Sequence, residues 1–431
     1  PYVTQPCHVT REGEFVAPPP TLGRFQNISM MEVRMMIVGG ASSALGKAAT
    51  IATRYSCVRK QGFRDTTVNL GPGAPEFVIL DYKVQQLRVF SALALSYSIR
   101  WAAVFIRNYL DRVAKAINAG DVSMAEELPE LHASLSGLKA WSTIIAHGHM
   151  EDLRKACGGQ GFLRSSGLPS IVEGFCDPAT VEGEQVIMSL QCSRFLVKSV
   201  RQLEGGQRPK GTVDYLEDPP TRALSFSRWR DATPHLLVAM FRDRARRQAV
   251  RLAERFAVAE KTLSFTDATN ATAIHGYKAA SCHSSYLTLR RNLDALDELV
   301  KPVDNKVYNA LISLLRLTAL VQLRDDLADW LGLVTPELAD SLPDEIDHLL
   351  EVIRPDAVGL VDALGFEDEQ LKSTIGRHDG NVYEAIYTQA KLSPLNQTRK
   401  MVGWEEISKV FDLEFLRRGI GQRAGNGPSR L

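Results

Sequence analysis

The sequence has 431 residues, of which 45% are hydrophobic and 23% charged, and 51 basic against 50 acidic side chains leave a net charge of +1. This length predicts two domains with sizeable cores, and the near-neutral charge argues against a nucleic-acid-binding protein. The six cysteines are scattered, without C-x-x-C pairs or histidines at ligand spacing, which predicts reduced thiols and no metal site. No apolar run reaches the length that spans a bilayer, so we expect no membrane span.

Helical patterns dominate the first half of the chain, and no strand-like alternation competes with them. Residues 1–28 are expected to be irregular, because three consecutive prolines oppose a helix there. Four long helices are predicted after them, from about Ser29, from about Leu80 to Ile117, from about Leu131 to Cys157, and from near Glu182 to Gly205. Four long helices with apolar faces are typical of a helical bundle, so the predicted fold class is all-α.

A cluster of glycines and prolines at 207–221 predicts a linker between two helical domains. Beyond it, an apolar helix from about Lys306 to Leu331 is expected to be buried. An arginine-rich helix, from Arg242 to Arg255, is interpreted as a solvated surface because acidic residues dilute its charge. The predicted organisation is therefore 1–28 irregular, 29–206 bundle domain, 207–221 linker, 222–424 second helical domain and 425–431 tail.

Three glycines follow the predicted third helix in the order Gly158, Gly159 and Gly161. Glycine lets a backbone approach a ligand closely and turns its N–H groups toward a phosphate. A helix C-cap followed by a turn is the simpler explanation of such a short cluster. Spacing alone favours the cap.

Two further segments carry charged residues that have both a structural and a functional interpretation. Glu182 and Glu184 stand at the start of the fourth helix, where acidic side chains complement the helix dipole. One of them would serve as a general base if it lay in an apolar pocket. The cations within 54–61 either hold a phosphate or end the first helix. In isolation, the structural interpretation is the safer one for both segments.

Taken together and in this order, the segments resemble the acyl-CoA oxidase family. The motifs are IATRYSCVRKQ, ILDYKVQQLRVF, CGGQGFLRSSGLP, TVEGEQVIMSLQCSRFLVK and, near the end, DGNVYEAIYTQAKLSPLN. They cover nearly the whole chain from about Ser29. The resemblance implies an acyl-CoA dehydrogenase-like four-helix bundle followed by a second, oxidase-specific helical domain. It also implies that the amino-terminal helical and β domains of the family are absent before Pro1.

The resemblance implies an FAD enzyme that converts fatty acyl-CoA and O₂ into trans-2-enoyl-CoA and H₂O₂, the first step of fatty acid β-oxidation. The glutamate of the family's E-G motif is its catalytic base, and this position is Glu182. By the same resemblance, Arg59 and Gln61 contact the FAD pyrophosphate region.

Further site assignments rest on the same resemblance. Gly158, Gly159 and Gly161 match a loop that approaches the FAD of the neighbouring subunit, which implies a homodimer. Arg34 falls where relatives have an arginine near the acyl-CoA site, while the paired glutamines at 85 and 86 receive no role. The chain departs from the family's usual pattern at positions 160 and 162 and in a longer loop at 62–75.

The last three residues, Ser429-Arg430-Leu431, are a close variant of the tripeptide that the peroxisomal import receptor recognises. Together with the resemblance, they predict a peroxisomal protein. One alternative is a truncated, non-catalytic paralogue that acts as a structural or regulatory partner subunit of a complete oxidase. An acyl-CoA dehydrogenase is disfavoured by the second helical domain and by this carboxy-terminal tripeptide.

Overall fold

A computed structural model describes residues 8–16, 27–63, 74–119, 121–219, 224 and 226–410, and their packing forms two units, 1–380 and 381–431. Helices dominate both units, which confirms the predicted all-α class. The predicted domain division, with its linker at 207–221, stays a prediction. The predicted tail 425–431 lies outside the described residues.

The α-helices of the first unit range from four-residue turns to a helix of 36 residues. They are α1 (Asn27–Val58), α2 (Lys83–Asn118), α3 (Leu128–Ala156), α4 (Gly158–Phe162), α5 (Leu168–Gly174), α6 (Gln185–Glu204), α7 (Pro234–Ala259), α8 (Phe265–Ala271), α9 (Ala273–Ala295), α10 (Asn305–Asp325), α11 (Pro336–Asp340), α12 (Leu342–Ile353), α13 (Ala357–Asp362) and α14 (Asp368–Leu371). Two short antiparallel hairpins accompany them, β1 (His8–Val9) with β2 (Phe15–Val16) and β3 (Lys60–Phe63) with β4 (Glu76–Val78).

The four predicted long helices form the bundle that the apolar patterns indicate. Helix α1 packs against α2 and α3, and α3 packs against α6. Their contact faces are apolar or small, as with Leu45, Ala48 and Leu93, which are fully buried. The predicted ends differ from the observed ones by a few residues. The fourth helix begins at Gln185 rather than near Glu182, because the Glu184 side chain caps its first turn.

Helices α7, α9 and α10 extend this core: α9 packs on α2, α6 and α7, and α10 packs on α2. The predicted buried helix is α10, which ends at Asp325 and is followed by a short 3₁₀ turn at 327–330. Within the predicted linker, a 3₁₀ helix at Gly211–Glu217 buries Tyr215, whose hydroxyl lies 3.0 Å from His283 Nδ1 on α9.

The arginine-rich helix is α7, and its interpretation as a solvated surface is only partly right. Arg251 and Arg255 are exposed, as expected. Arg244 is buried instead, and its guanidinium lies 3.1 Å from a carboxylate oxygen of Asp326. The sequence pattern missed this because the acidic partner directly follows α10, more than eighty residues further along the chain.

Two helices, α1 and α2, are long and apolar enough to cross a membrane by length and composition alone, which corrects the expectation that no segment reaches this length. Their apolar windows are 61% and 72% buried inside the protein. A core helix of a bundle passes the same test, because it too must be apolar around most of its surface.

The second unit contains α15 (Val382–Leu392) and α16 (Trp404–Val410), separated by a 3₁₀ turn at Pro394–Asn396. Helix α15 lies within the motif DGNVYEAIYTQAKLSPLN. Residues 411–431, which include Ser429-Arg430-Leu431, lie outside the described residues.

Candidate functional site

A strained turn precedes α6 and carries the predicted catalytic base. Glu182 adopts φ 57° and Gly183 φ 107°, so two consecutive residues lie at positive φ. The φ of Gly183 favours glycine, and a Cβ atom there would also lie 2.5 Å from the Met188 methyl carbon. A non-glycine residue at positive φ costs about 1–3 kcal/mol and persists only where its surroundings hold it. The local geometry therefore points to a functional constraint on Glu182.

Two buried cations hold this turn by its backbone carbonyls. Arg34 Nε, from α1, donates a hydrogen bond to the Glu182 carbonyl oxygen at 3.0 Å. Lys139 Nζ, from α3, donates to the Gly183 carbonyl oxygen at 2.6 Å. Both side chains are almost fully buried. Hydrogen bonds from charged donors are stronger than neutral ones, so this clamp stabilises the strained conformation.

Burial also sets the electrostatics of the clamp. It lowers the pKa of Arg34, while the Glu182 charge partly opposes this effect. Burial and the charge of Arg34 both lower the pKa of Lys139. Burial, followed by the charge of Arg34, lowers the pKa of His132, so this imidazole is neutral at pH 7. His132 Nε2 lies 2.8 Å from Arg34 Nη1 and accepts a hydrogen bond from it.

The structure separates the two carboxylates that the sequence could not tell apart. Glu184 accepts hydrogen bonds from the N–H groups of Val186 at 2.8 Å and Ile187 at 3.3 Å, which is the helix-capping role. Within the described part of the chain, the Glu182 carboxylate makes no hydrogen bond or ion pair, and the residue is partly buried. Glu182 is therefore the one with an available carboxylate.

A separate cavity of about 750 Å³ brings together four of the other predicted site residues. Arg59 and Gln61 line it from the end of α1 and from β3, and Gly158 and Gly159 line it from α4. Glu182 and Arg34 do not line this cavity. Apart from Gly161, the predicted site residues thus fall into two groups, at the clamped turn and at the cavity.

The three predicted glycines have different structural roles. Gly158 adopts φ 58°, and a Cβ atom at either Gly158 or Gly159 would meet open space. Their exposed backbone is therefore accessible to a ligand. Gly161 is buried, and a Cβ atom there would lie 1.9 Å from the Arg154 carbonyl oxygen. Gly161 allows α4 to fold back onto the end of α3, and it does not line the cavity.

Contacts across the cavity wall fix its shape. The Tyr82 hydroxyl donates to the Gln61 carbonyl oxygen at 2.9 Å, which ties β3 to the start of α2. Gln85 Nε2 lies 3.0 Å from both the Ser56 hydroxyl and the Ala156 carbonyl oxygen, joining α1, α2 and α3. Sequence reasoning gave Gln85 no role, and these bonds assign it a structural one.

Three observations at this site were not anticipated from the sequence. His132 and Lys139 contact the clamp and the turn but belong to no motif. A signal for Lys139 was present, because it stands four residues after Leu135 among small and apolar residues of a buried stretch of α3. Arg54 is buried and pairs with Asp362 at 2.8 Å, so this cation of the segment 54–61 is structural and does not line the cavity.

The fold and site define a helical-bundle protein in which α7, α9 and α10 of the first unit extend the bundle core. Residues 28–197 match the protein family described as "Acyl-CoA oxidase, C-alpha1 domain", and residues 233–411 match the family described as "Acyl-CoA oxidase". The chain belongs to the acyl-CoA oxidase family, as its motifs indicate. Both matched regions follow the chain order that the resemblance implies.

Individual relatives agree with this assignment. Peroxisomal acyl-coenzyme A oxidase 1 of Homo sapiens is 36% identical over 394 residues, which cover 89% of this chain and 58% of the human protein. Acyl-CoA oxidase 1 of Arabidopsis thaliana has a similar structure, with a TM-score of 0.83 at 33% identity over 93% of this chain and 59% of the plant chain. Acyl-CoA oxidase-1 of Caenorhabditis elegans, solved with FAD and ATP, gives a TM-score of 0.83 at 29% identity over 95% of this chain and 59% of the nematode chain. The chain thus spans a little under three fifths of the length of these relatives.

Proposed function

We propose that this chain is the carboxy-terminal portion of an FAD-dependent acyl-CoA oxidase, which converts fatty acyl-CoA and O₂ into trans-2-enoyl-CoA and H₂O₂. The observation that carries the proposal is the clamped turn, which holds Glu182 in a strained conformation and leaves its carboxylate without a partner among the described residues. A stabilising surface residue would not need such support. The membership of the family gives the reaction class.

In this proposal, Glu182 removes a proton from the carbon next to the thioester carbonyl. Arg34 and Lys139 bind the two backbone carbonyls of the turn and so keep the carboxylate oriented without forming an ion pair with it. When bound, FAD would supply the acceptor for the hydride that leaves the adjacent carbon, and its reoxidation by O₂ with two protons would give H₂O₂. Arg34, predicted to lie near the acyl-CoA, is accordingly proposed as a positioning residue for Glu182.

The cavity lined by Arg59, Gln61, Gly158 and Gly159 fits part of such a cofactor. Its volume, about 750 Å³, lies within the range of about 300–1,000 Å³ that is usual for small-molecule sites. Arg59 supplies a cation for a phosphate, and the exposed glycine backbone allows close approach. Gln160 Oε1 is buried at this cavity and has no hydrogen-bond partner within the described residues, so a ligand donor would satisfy it.

A homodimer and a peroxisomal location complete the proposal. Phe162 and Leu163 are exposed next to the cavity, and next to the turn there is an exposed apolar group, Val181, Val186 and Ile187. Clustered exposed apolar side chains support coverage of both places by other protein segments. Curated relatives carry the word peroxisomal in their names. The predicted import signal Ser429-Arg430-Leu431 would supply the route through the import receptor.

The test compares two neighbouring carboxylates in the full-length protein that contains this chain. Fatty acyl-CoA is mixed anaerobically with the flavoprotein, bleaching of the oxidised flavin is followed, and H₂O₂ is measured after O₂ is admitted. Glu182→Gln should lower the rate of bleaching by about 10³-fold or more while the flavin content stays unchanged. Glu184→Gln is the matched control, and it should retain bleaching because it loses only a helix cap.

Normal bleaching in Glu182→Gln would overturn the assignment of the base. A protein that reduces its flavin but forms no H₂O₂ would be a dehydrogenase instead. The non-catalytic partner subunit makes a third prediction, namely that no full-length flavoprotein contains this chain and that it copurifies with a complete oxidase. Sequencing the transcript upstream of the Pro1 codon, followed by purification from the source cells, separates these outcomes.

A further inference from the structure

A second large cavity lies along α6, away from the proposed reaction site. Its volume is about 590 Å³, and its walls come from α6, α7, α8 and α9. Neither Glu182 nor any of the predicted cofactor-binding residues lines it. The proposed reaction therefore leaves this cavity without a role.

The inner wall of the cavity is apolar and elongated. Leu252 and Phe256 on α7 and Val197 on α6 are buried side chains at its base, and Phe265 closes one side. The lining residues of α6 extend from Leu190 to Gln202, which corresponds to about 18 Å of helix at 1.5 Å per residue. Leu190 and Val197 are the apolar members of this α6 lining, and side chains of α7 and α8 complete the apolar base of the cavity. An elongated cavity with an apolar base suits a flexible hydrocarbon chain better than a compact ring system.

The rim of the cavity carries two cations, Arg194 and Lys198, that have no partner among the described residues. Arg194 and Lys198 stand one helical turn apart on α6, and both are exposed. Within the described part of the chain, neither makes a hydrogen bond or an ion pair. Arg201, one turn further, differs because it pairs with Glu260 and lies over the Phe256 ring. Among the described residues, no acidic side chain lines the cavity to neutralise these two cations.

We propose that this cavity binds a single-chain amphiphilic anion, with its hydrocarbon chain along α6 and its head group between Arg194 and Lys198. Charge complementarity selects an anionic head, because two unpaired cations one turn apart favour a carboxylate or a phosphate over a neutral group. Burial of the chain against the apolar wall supplies the main driving force. A fatty carboxylate and a fatty acyl ester with a phosphate-bearing head share this chemistry.

The proposal is tested by equilibrium dialysis of the 431-residue chain against radiolabelled palmitate below its aggregation concentration, with 1-hexadecanol and palmitoyl-CoA as competitors. Arg194→Gln combined with Lys198→Gln should weaken palmitate binding by about tenfold or more. The matched control combines Arg251→Gln with Arg255→Gln, which removes two exposed cations from α7 that do not line the cavity. This control should bind palmitate as the unmodified chain does.

A second variant, Ala273→Trp, fills the cavity from α9 and should abolish saturable binding, with circular dichroism used to verify that the helices remain. Because Arg194 and Lys198 are exposed, the double variant tests the proposal even if the filled variant does not fold.

The competitors identify the head group that the cavity binds. Saturable binding of labelled palmitate that hexadecanol displaces only weakly supports the anionic head group. Preferential competition by palmitoyl-CoA identifies the phosphate-bearing ester as the occupant. Equal binding to the unmodified chain and the Arg194/Lys198 variant, or absence of saturable palmitate and palmitoyl-CoA binding, overturns the proposal.

Discussion

Lowering the pH should destabilise this chain through one buried histidine, His283 on α9. The side chain is almost fully buried, and the Tyr215 hydroxyl lies 3.0 Å from its Nδ1 atom. Burial lowers the pKa of His283 from 6.5 to about 4. The folded state therefore contains a neutral imidazole over the pH range in which the unfolded chain already binds a proton.

The sign and the size of the effect follow from this difference. Because the folded pKa is lower than the unfolded one, the stability contributed by neutral His283 is present above pH 6.5 and is lost as the pH falls toward about 4. The shift of about two and a half pKa units corresponds to a loss of about 3 kcal/mol. Since the side chain is buried, solvent screening does not reduce this figure appreciably.

The assay is urea unfolding between pH 7.5 and pH 4.5, followed by circular dichroism, for the unmodified chain and for His283→Gln. The variant cannot be protonated, so its unfolding free energy should fall less over this range than that of the unmodified chain, by about 2–3 kcal/mol. At pH 7.5 the variant itself should be less stable, because glutamine packs less well than the imidazole beside Tyr215. The matched control is His275→Gln, an exposed histidine on the same helix, which should follow the unmodified chain. Parallel pH profiles for the His283 variant and the unmodified chain would refute the reasoning.

Two further predictions concern the candidate site. Gly161→Ala should lower the free energy of unfolding by about 3 kcal/mol or more, because the added Cβ meets the Arg154 carbonyl oxygen at 1.9 Å, whereas Gly159→Ala meets open space. Thermal unfolding of both variants checks this, and equal losses would contradict the packing role of Gly161. Arg34→Gln in the full-length protein should lower kcat about tenfold or more with little change in KM, since the hydrogen bond to the Glu182 carbonyl orients the base. Steady-state kinetics with fatty acyl-CoA distinguishes this positioning role from a substrate-binding role, for which KM would rise while kcat stayed constant. Arg34→Lys is measured beside it as the conservative variant.

The sequence by itself determined the helices, the fold class and the family. Apolar residues at helical spacing are a local property, so α1, α2, α3 and α6 were predicted to within a few residues. The ordered motifs from about Ser29 to the end of DGNVYEAIYTQAKLSPLN identified the family, which the matches at 28–197 and 233–411 confirm. The predicted roles of site residues within these motifs, such as Glu182 and Arg59, came from the resemblance to this family.

Only the tertiary structure decided how those residues are arranged. Spacing could not separate Glu182 from Glu184, because the cap of Glu184 and the clamp on Glu182 depend on which groups surround each carboxylate. Arg34 and Lys139 reach the same turn from two helices, and no sequence pattern links positions about a hundred residues apart. Hydrogen bonds and cavities between distant segments arise from packing, which local periodicity does not encode.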